Sequence, residues 1–123
     1  MKQVTIYHNP HCSKSRQTLN LLKEQGIEPK VVEYLKTPLT QASIKSLLKA
    51  LNIDLAGIIR NDEDIYKELN LAKATEDDLL KAMIKNPVLL QRPIVETGGK
   101  AKIGRPPEAV LDLLEQKLEP NHA

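Results

Sequence analysis

Residues His8-Asn9-Pro10-His11-Cys12-Ser13-Lys14-Ser15-Arg16 gather the side chains best suited to chemistry, and they include the only cysteine of the chain. The apolar run Val4-Thr5-Ile6-Tyr7 leads into this segment, and a helical pattern carrying Leu19 and Leu22 leads out of it. Cys12 therefore falls where a strand passes into the start of a helix. The first N–H groups of a helix lack intrahelical partners, and together with the helix dipole they favour an anion. A thiolate is such an anion. Arg16 adds a fixed positive charge about one turn away, and His8 adds another when protonated. Each of these effects lowers the pKa of a thiol, which makes Cys12 a candidate reactive thiolate. The competing reading of a lone cysteine is a small buried hydrophobe. The polar neighbours His11, Ser13, Lys14, Ser15 and Arg16 weigh against it. Ser15 is either an ordinary first-turn residue or a hydroxyl able to donate to the sulfur.

Two further arginines stand directly before prolines, Arg92-Pro93 and Arg105-Pro106, and Arg60 ends a short helical pattern. A residue before proline is held extended, which narrows where its side chain can point. Guanidinium groups match oxyanions through a planar, two-pronged fork. Taken alone, however, most arginines of a chain with 18 basic residues are solvated surface groups.

The positioning elements follow from hydrophobic period and turn residues. Val4 to Tyr7 reads as a strand with Val4 and Ile6 on one face. Ser13 to Gln25 reads as a helix capped by Gly26, and Lys30 to Tyr34 as a second, β-branched strand. Strand, helix and strand make a right-handed parallel unit. Thr40 caps a helix whose buried face is Ile44, Leu47, Leu48 and Leu51. Asp54 and Asp62 are placed to cap short helical turns, and Thr75 to cap a helix carrying Leu79, Leu80, Met83 and Ile84, which Asn86-Pro87 stops. Residues 40–86 thus form a helical insertion without linker-like ends, inside a single domain of residues 1–123. Ile94–Thr97 and Lys100–Ile103 read as a hairpin around Gly98-Gly99. Pro106-Pro107 opens a last helix with Val110, Leu111, Leu114 and Leu118 on its apolar stripe, and Pro120 ends it.

Composition sets limits. The 123 residues contain 41% hydrophobic residues, enough for one core, and with no Trp, no Phe and three Tyr that core is aliphatic. A formal net charge of +2 gives no broad basic face, and the shortage of aromatics removes a base-stacking platform, so nucleic acid is not an expected partner. One cysteine excludes an intrachain disulfide, and no run approaches the ~18 apolar residues of a membrane span. A cytoplasmic monomer without a signal peptide is expected. Three scattered His and one Cys give no metal-ligand spacing.

The His8-x3-Cys12-x3-Arg16 segment, Arg92-Pro93-Ile94-Val95 and Gly104-Arg105-Pro106, in that order, resemble the three signatures of the glutaredoxin-linked arsenate reductase family, over about residues 3–118. The resemblance implies an α/β, thioredoxin-like mixed sheet of about four strands, with the helical insertion between strands two and three. It implies a cis bond at Arg92-Pro93, placing Pro93 as a structural cis-proline facing the cysteine loop. It implies that Cys12 attacks arsenate to form a Cys–S–As adduct. Arg60, Arg92 and Arg105 then bind the oxyanion, and His8, Ser15 and Arg16 activate the cysteine. No bound cofactor is implied; glutathione serves as co-substrate and glutaredoxin as protein partner. The family also contains a redox-sensing transcription regulator, whose Cys-x-x-Cys is absent here because Ser15 holds the second position. A cysteine phosphatase needs Cys-x5-Arg, whereas the spacing here is Cys-x3-Arg. The remaining alternative is a glutathione-dependent thiol oxidoreductase acting on another substrate.

Overall fold

Strand β1 (Val4–His8) alternates buried Val4, Ile6 and His8 with half-exposed Thr5 and Tyr7, so its pleat has one core face. The strand is central in a four-stranded sheet of order β2-β1-β3-β4, where β2 is Lys30–Glu33, β3 is Ile94–Thr97 and β4 is Lys100–Ile103. It runs parallel to β2 and antiparallel to β3, and β3 is antiparallel to β4. The computed structural model describes residues 3–37, 39–91 and 93–113. These fall in two compact units, one of Met1–Glu33 with Arg92–Ala123 and the other of Tyr34–Gln91. The expected last-helix positions Leu114 and Leu118 and the terminator Pro120 lie outside the described residues, as does Arg92.

In the first unit the core is aliphatic, as the composition requires. Val4, Ile6 and Val95 from the sheet meet Leu22 of α1 (Ser13–Glu24) and Val110 and Leu113 of the C-terminal segment. That segment begins as a 3-10 turn at Pro107–Val110. Burying such side chains contributes about 1.5–3 kcal/mol each. Helix α1 ends at Gly26, where φ is +77°. Gly26 N–H donates to the Lys23 carbonyl and Ile27 N–H to the Leu22 carbonyl. This pairing closes the helix and turns Ile27 onto the same core. The β3–β4 hairpin turns at Gly98 and Gly99, both at positive φ, with Thr97 opposite Lys100. Strand β2 stops at Glu33, one residue short of the expected Tyr34. Its partner among the described residues, β1, has already reached His8, opposite Glu33, and there enters the cysteine loop.

The second unit is helical: α2 (Gln41–Leu51), α3 (Asp64–Glu68) and α4 (Glu76–Lys85), joined by short 3-10 turns. Its bounds, Tyr34–Gln91, are wider than the expected insertion of 40–86. Thr40 and Thr75 cap α2 and α4, their hydroxyls accepting from Ser43 N–H and Asp78 N–H. Asp54 precedes the 3-10 turn Leu55–Gly57 without a side-chain capping bond. Asp62 does not cap α3, whose N-cap is Glu63, because its carboxylate is turned to Arg60. Helix α4 packs on α2 and on the turn Leu55–Gly57. The sheet order, the parallel β1-α1-β2 unit and the antiparallel β3–β4 hairpin with its following helical segment are those of the thioredoxin-like fold.

Candidate active site

Cys12 sits at the N-cap of α1, half-buried, with extended backbone (φ −97°, ψ 123°). Its thiol makes no capping bond, and the first turn of α1 holds no acidic residue. The positive end of a 12-residue helix is therefore not neutralised locally.

The loop leading to Cys12 is shaped by Asn9, which is buried at 5% exposure. Its Oδ1 accepts from His11 N–H at 3.0 Å, its carbonyl accepts from Cys12 N–H at 3.0 Å, and its own N–H donates to Ser15 Oγ at 3.0 Å. Asn is suited to this because its side chain bonds the backbone two residues on. The role is visible only once the loop is folded; the sole sequence signal is Asn before Pro. Arg16 adds a brace: Nη1 donates to the Pro10 carbonyl at 2.9 Å. Its guanidinium thus holds the loop that carries the cysteine.

Ser15 is fully buried, and its Oγ lies 2.6 Å from His8 Nδ1. The strand pleat puts His8 on the same face as Val4 and Ile6. Burial lowers the pKa of His8 below its usual 6.5; Glu33 opposes this, and Arg16 and Lys23 add to it. The Ser15 hydroxyl oxygen accepts from Asn9 N–H and shares a hydrogen bond with His8 Nδ1, whose direction follows the tautomer of the imidazole.

Arg105 follows β4, two residues beyond its last residue, Ile103. Its Nη2 reaches to 3.9 Å from Cys12 Sγ, across 93 positions of sequence. Cys12, His8, Ser15, Arg16 and Arg105 are thus brought together around one helix start. Arg60 belongs to the helical unit, where it pairs with Asp62 through Nε at 3.3 Å and Nη2 at 3.1 Å, with Glu63 at 3.9 Å. Pro93 is buried, and its carbonyl accepts from Gly104 N–H at 2.8 Å. The bond preceding Pro93 involves Arg92 and lies outside the described residues. The cis X–Pro bond among the described residues is Arg105–Pro106, which the sequence reading did not anticipate. Among the described residues no group of three or more His, Cys, Asp or Glu is placed to hold a metal ion. Nor is any helix there long and apolar enough to cross a membrane.

Residues 7–113 match the ArsC family. A protein of Escherichia coli K12 known as "Uncharacterized protein YfgD" is 58% identical over 92% of this chain and 98% of its own length. An arsenate reductase of Escherichia coli is 43% identical over 93% of this chain and 82% of its own length. The solved structure of an arsenate reductase from Vibrio cholerae superposes with a TM-score of 0.88 at 46% identity, covering 90% of this chain and 97% of that one. A cysteine-bearing helix start on a thioredoxin-like sheet, a match spanning most of the sequence and relatives of this similarity lead to one conclusion: the chain belongs to the ArsC family.

Proposed function

We propose that this protein is an arsenate reductase in which Cys12 is the nucleophile and glutathione with glutaredoxin supplies the electrons. The observation that carries this reading is the guanidinium of Arg105 beside the half-buried sulfur of Cys12 at the start of α1. A cation and a helix terminus around a thiol suit a negatively charged substrate better than a neutral disulfide.

The Cys12 thiolate attacks the arsenic of arsenate and displaces one oxygen, which leaves as water after protonation. A Cys–S–As(V) adduct results. Arg105, with Arg92, offsets the charge on the arsenic oxygens as the bond forms. His8, Ser15 and Arg16 keep the loop and the thiolate in place. Reduction to As(III) requires two electrons, and the chain has no second thiol to provide them. A glutathione thiol therefore joins the arsenic with loss of a second water. A glutaredoxin thiolate then attacks the glutathione sulfur, leaving the electron pair of the As–S bond on arsenic. Hydrolysis of the remaining Cys–S–As(III) bond releases arsenite and restores Cys12. The protein acts on its own as a monomer in the cytoplasm, where the glutathione pool keeps a lone cysteine reduced.

A coupled assay tests this: NADPH consumption in the presence of glutathione, glutathione reductase and glutaredoxin, with arsenate or a low-molecular-weight disulfide as substrate. Arsenate-dependent turnover that vanishes in Cys12→Ser is expected. Turnover with the disulfide alone would make the protein a general glutathione-dependent thiol oxidoreductase.

A further inference from the structure

Gly104 stands directly before Arg105, and its backbone is pressed against two buried neighbours. A Cβ at this position would lie 2.7 Å from Thr18 Oγ1, 2.8 Å from Pro93 Cγ and 3.3 Å from Thr18 Cγ2. Real side chains do not tolerate the first two distances. Neither neighbour can yield easily. Thr18 is fully buried on α1, its β-branched side chain has few helix rotamers, and Oγ1 donates to the Lys14 carbonyl at 2.8 Å. Pro93 is a rigid ring, fully buried, and its carbonyl holds Gly104 N–H at 2.8 Å. Gly104 has no positive φ of its own to explain its identity; what it supplies is the missing Cβ.

We propose that Gly104, seated against Thr18 and Pro93, is a positioning residue that sets the reach of Arg105 to the sulfur of Cys12. The proposal deepens the arsenate reductase reading, in which Arg105 is an oxyanion ligand. Arg105 Nη2 is 3.9 Å from Sγ, already at the outer limit of a hydrogen bond to sulfur. Thr18 and Cys12 lie on the same helix. The close approach of Gly104 to Thr18 therefore references Arg105 to the element that carries the nucleophile. An added methyl group pushes the 104–106 segment away from α1 and takes the guanidinium out of range. Displacements of about 1 Å can cost about 10²-fold in rate.

The test uses the single cysteine and needs no arsenate. The rate of Cys12 alkylation by iodoacetate is divided by that with iodoacetamide, for wild type, Gly104→Ala, Arg105→Ala and the double variant. A cation beside the sulfur favours the anionic reagent. Arg105→Ala should lower the ratio about fivefold, the effect of one charge near 4 Å in water. Gly104→Ala should lower it to a similar extent, and the double variant should fall no further than either single one. A wild-type ratio in Gly104→Ala overturns the proposal, as does a multiplicative loss in the double variant or an unchanged ratio in Arg105→Ala. If Gly104→Ala does not fold, Gly104→Ala/Thr18→Ala takes its place, because two of the three close contacts are then gone. A lowered ratio in that chain, unaffected by adding Arg105→Ala, supports the proposal. A wild-type ratio, or failure to fold there too, makes the glycine a requirement of packing alone and overturns it. Wild-type protein that shows the full cycle but no arsenate turnover keeps this proposal and removes the arsenate reductase reading.

Discussion

Arg105 and Cys12 are 93 positions apart, and the guanidinium Nη2 of one stands 3.9 Å from the sulfur of the other. Arg105 lies two residues beyond the end of β4, and Cys12 is the N-cap residue just before α1. The sheet brings them together: β4 pairs with β3, β3 with β1, and β1 runs into the cysteine loop. A charge delivered from a distant strand and a helix terminus supplied locally act on the same atom.

If Arg105 holds the substrate, Arg105→Lys keeps the charge and loses the two-pronged fork. Arsenate turnover should fall by about 10²–10³-fold, the usual weight of one oxyanion donor. Arg105 is exposed, so the thermal midpoint should barely move. Arsenate or sulfate should shield wild-type Cys12 from iodoacetamide and shield the variant less. Equal shielding would place the oxyanion elsewhere.

Cys12→Ser should abolish turnover and leave folding intact. Cys12 occupies the N-cap of α1 without a side-chain capping bond, and serine is among the preferred residues there. The variant should melt at or slightly above the wild-type temperature. Residual arsenate reduction in the purified variant would show that the thiol is not the nucleophile.

Ser15→Ala removes an oxygen that accepts from Asn9 N–H and pairs with His8 Nδ1, both in buried surroundings. Leaving such groups unsatisfied costs about 1–3 kcal/mol. Denaturant unfolding should show that loss. Because Asn9 also holds His11 and Cys12, iodoacetamide should react with Cys12 at a changed rate. A variant as stable as wild type would mean that the Ser15–His8 pair is not a buried bond in solution.

The lowered pKa of His8, caused chiefly by burial, has a defined sign in stability. The unfolded chain binds the proton more readily than the folded one. His8 therefore contributes its full stabilisation above the ordinary imidazole pKa of about 6.5, and that contribution is lost as pH falls below this value and through the folded-state pKa. Urea unfolding should show wild type losing stability on acidification over that window. His8→Gln should lack this component. Titration of the His8 ring by NMR should give a midpoint below about 6.5; a midpoint above it would mean that burial does not dominate the environment of His8.

Much of this was legible in the sequence because it depends on neighbours along the chain. The pleat of Val4 and Ile6, the Gly26 closure of α1, the threonine caps at 40 and 75 and the Gly98-Gly99 turn are local matters of period, capping and φ. Cys12 at a helix start was readable for the same reason. Asp62 shows where local reading stops: it has the residue type of a cap, but Arg60 outcompetes the backbone for its carboxylate. Only the tertiary structure decided that Ser15 bonds His8, that Arg16 braces Pro10, and that Gly104 fits against Thr18 and Pro93 to place Arg105 by the sulfur. The first two depend on how the cysteine loop folds back on itself over seven and six positions, and the last on an approach across 93 positions. Strand pairing and close packing set such distances, and neither is encoded in the spacing of residues along a single segment.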